Sequence, residues 1–377
     1  MRTITQVDIT NLRVLLRVDY NVPIDDKGEI LDDFKIKESL PTIRYILKSA
    51  KQLIIISHLG RPKDRPTPEL KLDKVALRLM KHLGRNIAKL NDCVNIDIPD
   101  EKVVMLENLR FHKEEELNDE GFAKKLASYA DFFVNDAFAV SHRAHSSVVG
   151  VTKFLPSCAG FLLQKEVENL DFRNPKRPFV VIMGGSKLST KFHLINKLVP
   201  MTDKLLLGGA IIFTFYKSQG FEIGKSLCED DQLTAAKLLS YNEKIVLPKD
   251  VVVAPQISEK APFKTVNFKQ IPKEEIGLDL GADTIKDFKS KLKKAKTVFW
   301  NGPLGYYEIE NFSKSTYEIA KLLSTLDAKV VIGGGDSAAF VQKLGLMDKF
   351  THVSTGGGAS LELIENGSLP GIDVLKH

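Results

Sequence analysis

Nine short apolar runs recur along this 377-residue chain at helix-length intervals, and that rhythm restricts its fold more than any other feature. They are LRVLLRV (12–18), QLIIIS (52–57), VVMLE (103–107), DFFVND (131–136), FVVIMG (179–184), KLLLG (204–208), VVV (251–253), TVFW (297–300) and KVVIG (329–333). Continuous runs, as opposed to alternating ones, suit strands buried on both faces. Such strands separated by helices imply parallel sheets covered by helices. A chain of 377 residues is too long for one comfortable core, so two α/β domains are expected. Leu163, Val167 and Leu170 have amphipathic spacing, which predicts a helix over 161–173. NPKRP (174–178) breaks it before the next strand, and the domain boundary is placed there.

In folds of this class ligands gather at the carboxyl ends of strands, and here nearly every run ends in a chemically useful residue. These are Asp19, His58, Arg110, Asp136, Gly184 and Gly185, Gly208 and Gly209, Asn301, and a GGGD loop. Cations cluster in the first half (His58, Arg61, Arg110, His142, Arg143) and glycine loops in the second (GGSK, LGGA, GLDLG, NGPLG, GGGDS, STGGGAS). One half reads as a holder of a compact anion, the other as a holder of a phosphate chain, a division that points to a kinase.

The net charge of +6 fits an anionic partner. Aromatic-interleaved basic patches are missing, which favours a small phosphorylated metabolite over nucleic acid. No apolar run reaches transmembrane length. MRTITQVDIT resembles neither a signal peptide nor a presequence, so a cytoplasmic protein with no membrane partner is expected. Cys93, Cys158 and Cys228 lack metal-ligand spacing and read as reduced thiols.

Each motif also has a plainer reading. In KVVIGGGDSAAF (329–340), a strand, three glycines, an acid and a helical pattern can bring backbone N–H groups against phosphate. Asp336 then stands where an accompanying Mg²⁺ would sit; the alternative is a tight turn. Asp19 and Asn21 of RVDYNVP share a face if the strand continues and could bond a ligand hydroxyl, or they form a turn before Pro23. In SHLGRP, His58 and Arg61 could grip carboxylate or phosphate together; a surface loop is the other reading. GGSKLSTK (184–191) is expected to open a helix, with Lys187 and Lys191 four apart on one face around an anion. In DAFAVSHRAHSS, Arg143 is the better anion ligand, with the histidines orienting it, because HExxH spacing is absent. Glu308 of WNGPLGYYE could accept hydrogen bonds from ribose or be an ordinary exposed acid.

These motifs, in this order through to HVSTGGGASLELIENGSLPG, resemble the phosphoglycerate kinase family over nearly the whole chain. The resemblance implies two Rossmann-like domains, each a mainly parallel sheet flanked by helices, joined by an interdomain helix and hinge. The first would span 1–160 with the returning tail 363–377, the helix 161–173, and the nucleotide domain 174–362. It implies reversible phosphoryl transfer between 1,3-bisphosphoglycerate and Mg-ADP, giving 3-phosphoglycerate and Mg-ATP, by a monomer. Asp19, Asn21, Lys35, His58, Leu59, Gly60, Arg61, Arg110 and Arg143 would bind phosphoglycerate. Gly185, Lys187, Lys191, Gly209, Gly277, Asn301, Pro303, Glu308, Gly334, Gly335, Asp336 and Ser337 would bind ATP or ADP, with Asp336 the Mg²⁺ ligand. Lys35, Lys187 and the amides of Gly335 and Gly357 would act on the transferring phosphoryl group.

The chain departs from the family pattern at a few places. Lys35 stands where the family usually has an arginine, keeping charge but losing the planar bidentate fork. A slower but real enzyme is expected; a catalytically weak paralogue acting as a nucleotide or phosphoglycerate sensor is the alternative. Ser186, Thr190 and Ala139 are milder changes, whereas Ala210 and Tyr306 are expected to reshape the nucleotide pocket.

Overall fold

The structure, a computed structural model, describes residues 1–62 and 65–376. The chain divides into two compact units: unit 1 holds Met1–Glu168 and Asn366–His377, and unit 2 holds Asn169–Glu365.

Unit 1 is built on β1 (Arg13–Arg17), β2 (Gln52–Ile56), β3 (Ala88–Lys89), β4 (Val103–Met105), β5 (Phe132–Asn135) and β6 (Ser157–Ala159). Their spatial order is β3-β4-β2-β1-β5-β6, and every pairing is parallel. The continuous apolar runs serve two cores at once. Val14, Leu16, Leu53 and Ile55 enter one core, while Leu15, Ile54 and Ile56 enter another. The chain leaves β1 for β2 on one side and later returns to β5 on the other, so the loops after β1 and β5 diverge. That switch point opens a crevice at the strands' carboxyl ends. The helix Phe34–Ile46 buries Ile36, Leu40, Ile43 and Ile46 along one face, which sets Lys35 in its first turn. The C-terminal segment belongs to unit 1, where Arg2 N donates to Leu375 O and Gly371 N to Ser141 O.

Unit 2 repeats the plan with β7 (Phe179–Met183), β8 (Lys204–Leu207), β9 (Ile245–Val246), β13 (Thr297–Asn301), β14 (Lys329–Gly333) and β15 (His352–Val353). The parallel order is β15-β14-β13-β7-β8-β9, with the switch between β7 and β13. The run at 251–253 departs from expectation. It lies in β10 (Asp250–Ala254), which pairs antiparallel with β11 (Lys264–Asn267) and β12 (Ile276–Leu280) in a separate three-stranded sheet. An apolar run reports burial on both faces but not the direction of its neighbours, and here short connections permit antiparallel pairing. No helix among the described residues is long and apolar enough to cross a membrane.

Candidate active site

In unit 1 many of the residues beyond β1, β2 and β4 are joined in a network of hydrogen bonds and ion pairs. The strand does not continue past Arg17. Asp19 Oδ1 instead accepts from Asn21 N at 2.9 Å, closing a local turn. This is the turn reading of RVDYNVP, and it still yields chemistry. Asn21 Oδ1 is spent on Gly60 N at 2.9 Å, and Asp19 Oδ2 meets Lys35 Nζ at 2.6 Å. Leu59 is buried and clamped by Asn108, whose Oδ1 accepts from Leu59 N and whose Nδ2 donates to Leu59 O. Arg110 is buried too, donating from Nη1 to Gly60 O at 2.9 Å with Nε 3.1 Å from Glu116. Arg61 is exposed, and Arg143 is half-buried with its Nε bonded to His142 Nε2 at 3.2 Å. His142 therefore orients Arg143, as the sequence suggested.

Sequence reasoning passed over Arg17, the centre of this network. Its side chain is 1% exposed and donates from Nε to Ser147 Oγ at 2.8 Å, and it also donates to Val18 O. Arg17 Nη2 lies 3.2 Å from His58 Nδ1 and 3.9 Å from Glu115 Oε1. A guanidinium can only donate, so His58 Nδ1 accepts and the ring proton sits on Nε2. Burial pushes His58 well below its usual value; Arg17, Arg110 and Lys35 push the same way and Asp19 opposes. The imidazole is therefore neutral, with Nε2–H as its one ring donor. Burial alone would raise the Asp19 carboxyl, but the Lys35 ammonium, helped by the hydrogen bond from the Asn21 amide, holds it well below the carboxylate range. In the sequence Arg17 is only a cation near the end of an apolar run, which does not by itself separate it from a surface residue.

In unit 2 a cavity of about 350 Å³ opens beyond β7, β12 and β13. It gathers Gly185, Gly209, Gly277, Pro303, Glu308 and Asp336 from the expected nucleotide residues. Its walls also include Phe213, Leu227, Ile257, Leu278 and Leu304, none of which had been singled out. Apolar wall residues carry no sequence signal that separates them from core. Tyr306 and Ala210 line it as well, so both departures do face the cavity. Gly209 is needed for space as well as conformation. At φ +67 a Cβ there would stand 2.5 Å from the backbone N and O of Gly185.

Other expected ligands brace this cavity and are absent from its lining. Asn301 donates from Nδ2 to Gly333 O at 2.9 Å and accepts from Lys191 Nζ. Ser337 is buried, its Oγ accepting from Gly302 N at 2.7 Å. Gly334 packs against Asn301, while Gly335 begins the helix Gly335–Lys343. Gly357, at φ +51, precedes the helix Gly358–Asn366. One expectation fails: 184–191 is not helical, and the helix begins only at Phe192. Ser189 is held by Glu229 and Leu188 is buried, which keeps the segment as a loop. Lys187 and Lys191 therefore do not share a helix face. Lys187 is exposed, and Lys191 turns inward to Asn301, with the Asp336 charge opposing the effect of its burial.

Asp336 is exposed at a helix start and on the cavity wall. A lone hard carboxylate there fits Mg²⁺, which takes one or two carboxylates and completes its shell with water and phosphate oxygens.

Asp279 is a further acid on the cavity wall, 3% exposed in β12. Burial pushes its carboxyl up to about 7, against hydrogen bonds from the Ser315 hydroxyl and amide. The folded chain thus holds a proton that the unfolded chain releases near 3.8, so this group's stabilisation fades as pH rises from 3.8 to about 7. Asp279→Asn is expected to gain thermal stability relative to the parent across that interval. A melting-temperature gap that stays constant with pH would contradict this.

Comparison with known proteins places these features in context. The family model described as phosphoglycerate kinase matches residues 4–367. A relative from Chlorobium luteolum, named phosphoglycerate kinase, is 46% identical over 100% of this chain and 99% of its own. The cytosolic phosphoglycerate kinase of Triticum aestivum is 49% identical over 100% of this chain and 98% of its own. The solved structure of phosphoglycerate kinase from Coxiella burnetii superposes with TM-score 0.90 at 39% identity, covering 99% of this chain and 98% of that one. That from Pyrococcus horikoshii gives TM-score 0.86 at 29% identity, covering 100% and 98%.

Proposed function

The chain belongs to the phosphoglycerate kinase family, and from this we infer that it transfers a phosphoryl group reversibly between 1,3-bisphosphoglycerate and Mg-ADP, giving 3-phosphoglycerate and Mg-ATP. The observation that carries the reading is the match of the family along 4–367 to a chain whose relatives align end to end.

The residue roles are our proposal. Phosphoglycerate sits on unit 1, held by Arg61, Arg110 and Arg143, with neutral His58 donating from Nε2. Asp19 and Asn21 shape the turn, Asp19 steadies Lys35, and Leu59 and Gly60 supply backbone. Adenine nucleotide fills the unit 2 cavity, its base against the apolar walls and its ribose toward Glu308. Backbone amides at Gly334, Gly335 and Gly357 face the phosphates, with Lys187 and Lys191 adding charge, while Gly185 and Gly209, whose amides are bonded to Pro303 O and Leu304 O, give the nucleotide room by their lack of a side chain. Asn301, Pro303, Gly277 and Ser337 keep those loops in place. Asp336 would hold the Mg²⁺, which when bound neutralises phosphate charge.

Phosphoryl transfer asks little covalent chemistry of a protein; alignment and charge stabilisation dominate. Lys35 from unit 1 and Lys187 from unit 2 are assigned to the charge that spreads over the transferring oxygens. The two substrates must meet for this to happen, and we assign that step to a hinge motion that also expels water. We place the enzyme in the cytoplasm as a monomer; the wheat relative's name supports the location.

A coupled assay of 1,3-bisphosphoglycerate formation from 3-phosphoglycerate and Mg-ATP tests the function. Sustained turnover that depends on both substrates is expected. Turnover at background with both ligands still bound would return the sensor reading.

A further inference from the structure

Among the described residues, Asp92, Cys93 and His112 bring a carboxylate oxygen, a thiol sulfur and an imidazole nitrogen within 4.8 Å of one another. Asp92 and Cys93 follow β3, and His112 closes the short helical turn Leu109–Phe111 that follows β4. None of the three takes part in the unit 1 network described above, and the mechanism leaves them unused.

The backbone holds the cluster in place. Glu107 N donates to Asp92 O at 3.2 Å, which ties the loop to the end of β4. His112 N donates to Leu109 O at 3.2 Å, and its ring stands 5.5 Å from that of Phe122. Asp92 Oδ1 accepts from Cys93 N at 2.6 Å and lies 2.7 Å from His112 Nε2. An ion pair would account for Asp92 and His112 alone. The Cys93 sulfur, brought in by the adjacent residue, lies within 4.8 Å of both of their ligand atoms and adds a third donor.

The donor set carries the argument further. Sulfur, nitrogen and oxygen together form a zinc set, whereas Mg²⁺ and Ca²⁺ take oxygen alone. Access is asymmetric: Cys93 is buried at the floor, while the side chains of Asp92 and His112 are 47% and 29% exposed at the mouth. Three protein ligands with a solvent-reachable fourth position is the arrangement of an open zinc site.

We propose that Asp92, Cys93 and His112 form a zinc site in unit 1, with water as the fourth ligand. On binding, the Cys93 S–H bond breaks and its proton leaves to solvent, so that the thiolate ligates. The Asp92–His112 hydrogen bond opens, the Nε2 proton passes to solvent while Nδ1 holds the ring's one proton (kept, or taken from water), and Nε2 turns its lone pair to the metal. No redox change is involved. The inference stands apart from the catalytic assignment, because none of its residues touches the proposed substrates.

The test titrates Zn²⁺, and Co²⁺ as a spectroscopic substitute, into the metal-free full chain. Calorimetry is expected to show one equivalent of zinc bound, and cobalt a thiolate charge-transfer band. Cys93→Ser should abolish the band, and His112→Gln should weaken zinc binding by at least about tenfold. His112 is partly exposed, so that variant guards against a folding defect in the first. Cys158→Ser and Cys228→Ser should leave stoichiometry and band unchanged. The proposal is overturned if the parent chain binds no equivalent of zinc, if the cobalt band survives in Cys93→Ser, or if it disappears in either control.

Discussion

Replacing Lys35 by alanine is expected to lower kcat by about 10³-fold or more, on the scale of a cationic side chain acting on a phosphoryl transition state. Lys35→Arg should instead raise kcat above the parent. The structure gives this pair a physical basis. Lys35 occupies the first turn of the helix Phe34–Ile46, and its ammonium is 2.6 Å from Asp19 Oδ2. The start of that helix is pinned, because Asp33 meets Lys37 at 2.8 Å, Arg78 at 3.0 Å and His82 at 2.8 Å. Position is therefore set by the scaffold and charge by the side chain. A guanidinium in the same place would keep the Asp19 pairing and add a planar fork for two oxygens. Steady-state kinetics with Mg-ATP and 3-phosphoglycerate read the result, and thermal melts check that each variant is folded. An unchanged rate in Lys35→Ala would remove the role assigned to this residue.

Arg17→Leu is the second large expectation, and it is a stability effect. Arg17 and Glu115 are both fully enclosed, and Glu115 also accepts from Ser147 N at 2.9 Å and Ser147 Oγ at 2.6 Å. Burial raises the Glu115 carboxyl, and Arg17 is the main group opposing that shift. Removing the cation leaves a buried carboxylate uncompensated, which costs about 3–5 kcal/mol. The same change frees His58 Nδ1, so the donor proton on Nε2 is no longer fixed and the KM for 3-phosphoglycerate should rise. Combining Arg17→Leu with Glu115→Leu removes both charges and should recover most of the stability without recovering the KM. Denaturant unfolding of the two single variants and the double variant separates these effects. Equal losses that simply add would show that the pair is not coupled.

Much of the fold was legible because burial leaves a direct trace in sequence. Apolar runs such as FVVIMG and KVVIG became β7 and β14, buried on both faces. Strand direction leaves no such trace, and the run at 251–253 went to an antiparallel sheet. In the site, glycines at Gly209 and Gly277 were legible because the cavity demands their lack of a side chain. A Cβ at Gly277 would meet the Phe213 ring at 2.0 Å. Arg17 was not legible, since a single cation at a strand end reads as surface until its partners are known. Lys187 and Lys191 were assigned to one helix face from spacing alone, and the anchoring of Ser189 to Glu229 undid that.

The sequence by itself determined that this chain forms helix-covered parallel sheets, that its polar residues stand at strand ends, and that it resembles one kinase family. These follow from periodicity and from residue type, which are local properties of the chain. Only the tertiary structure decided which polar side chains are spent on other parts of the chain. Asn21, Asn301 and Ser337 spend their side chains on neighbouring backbone or side chains, and Asp19 spends its own on Lys35. Those outcomes depend on partners tens to hundreds of residues away, and no local pattern encodes the distance between them.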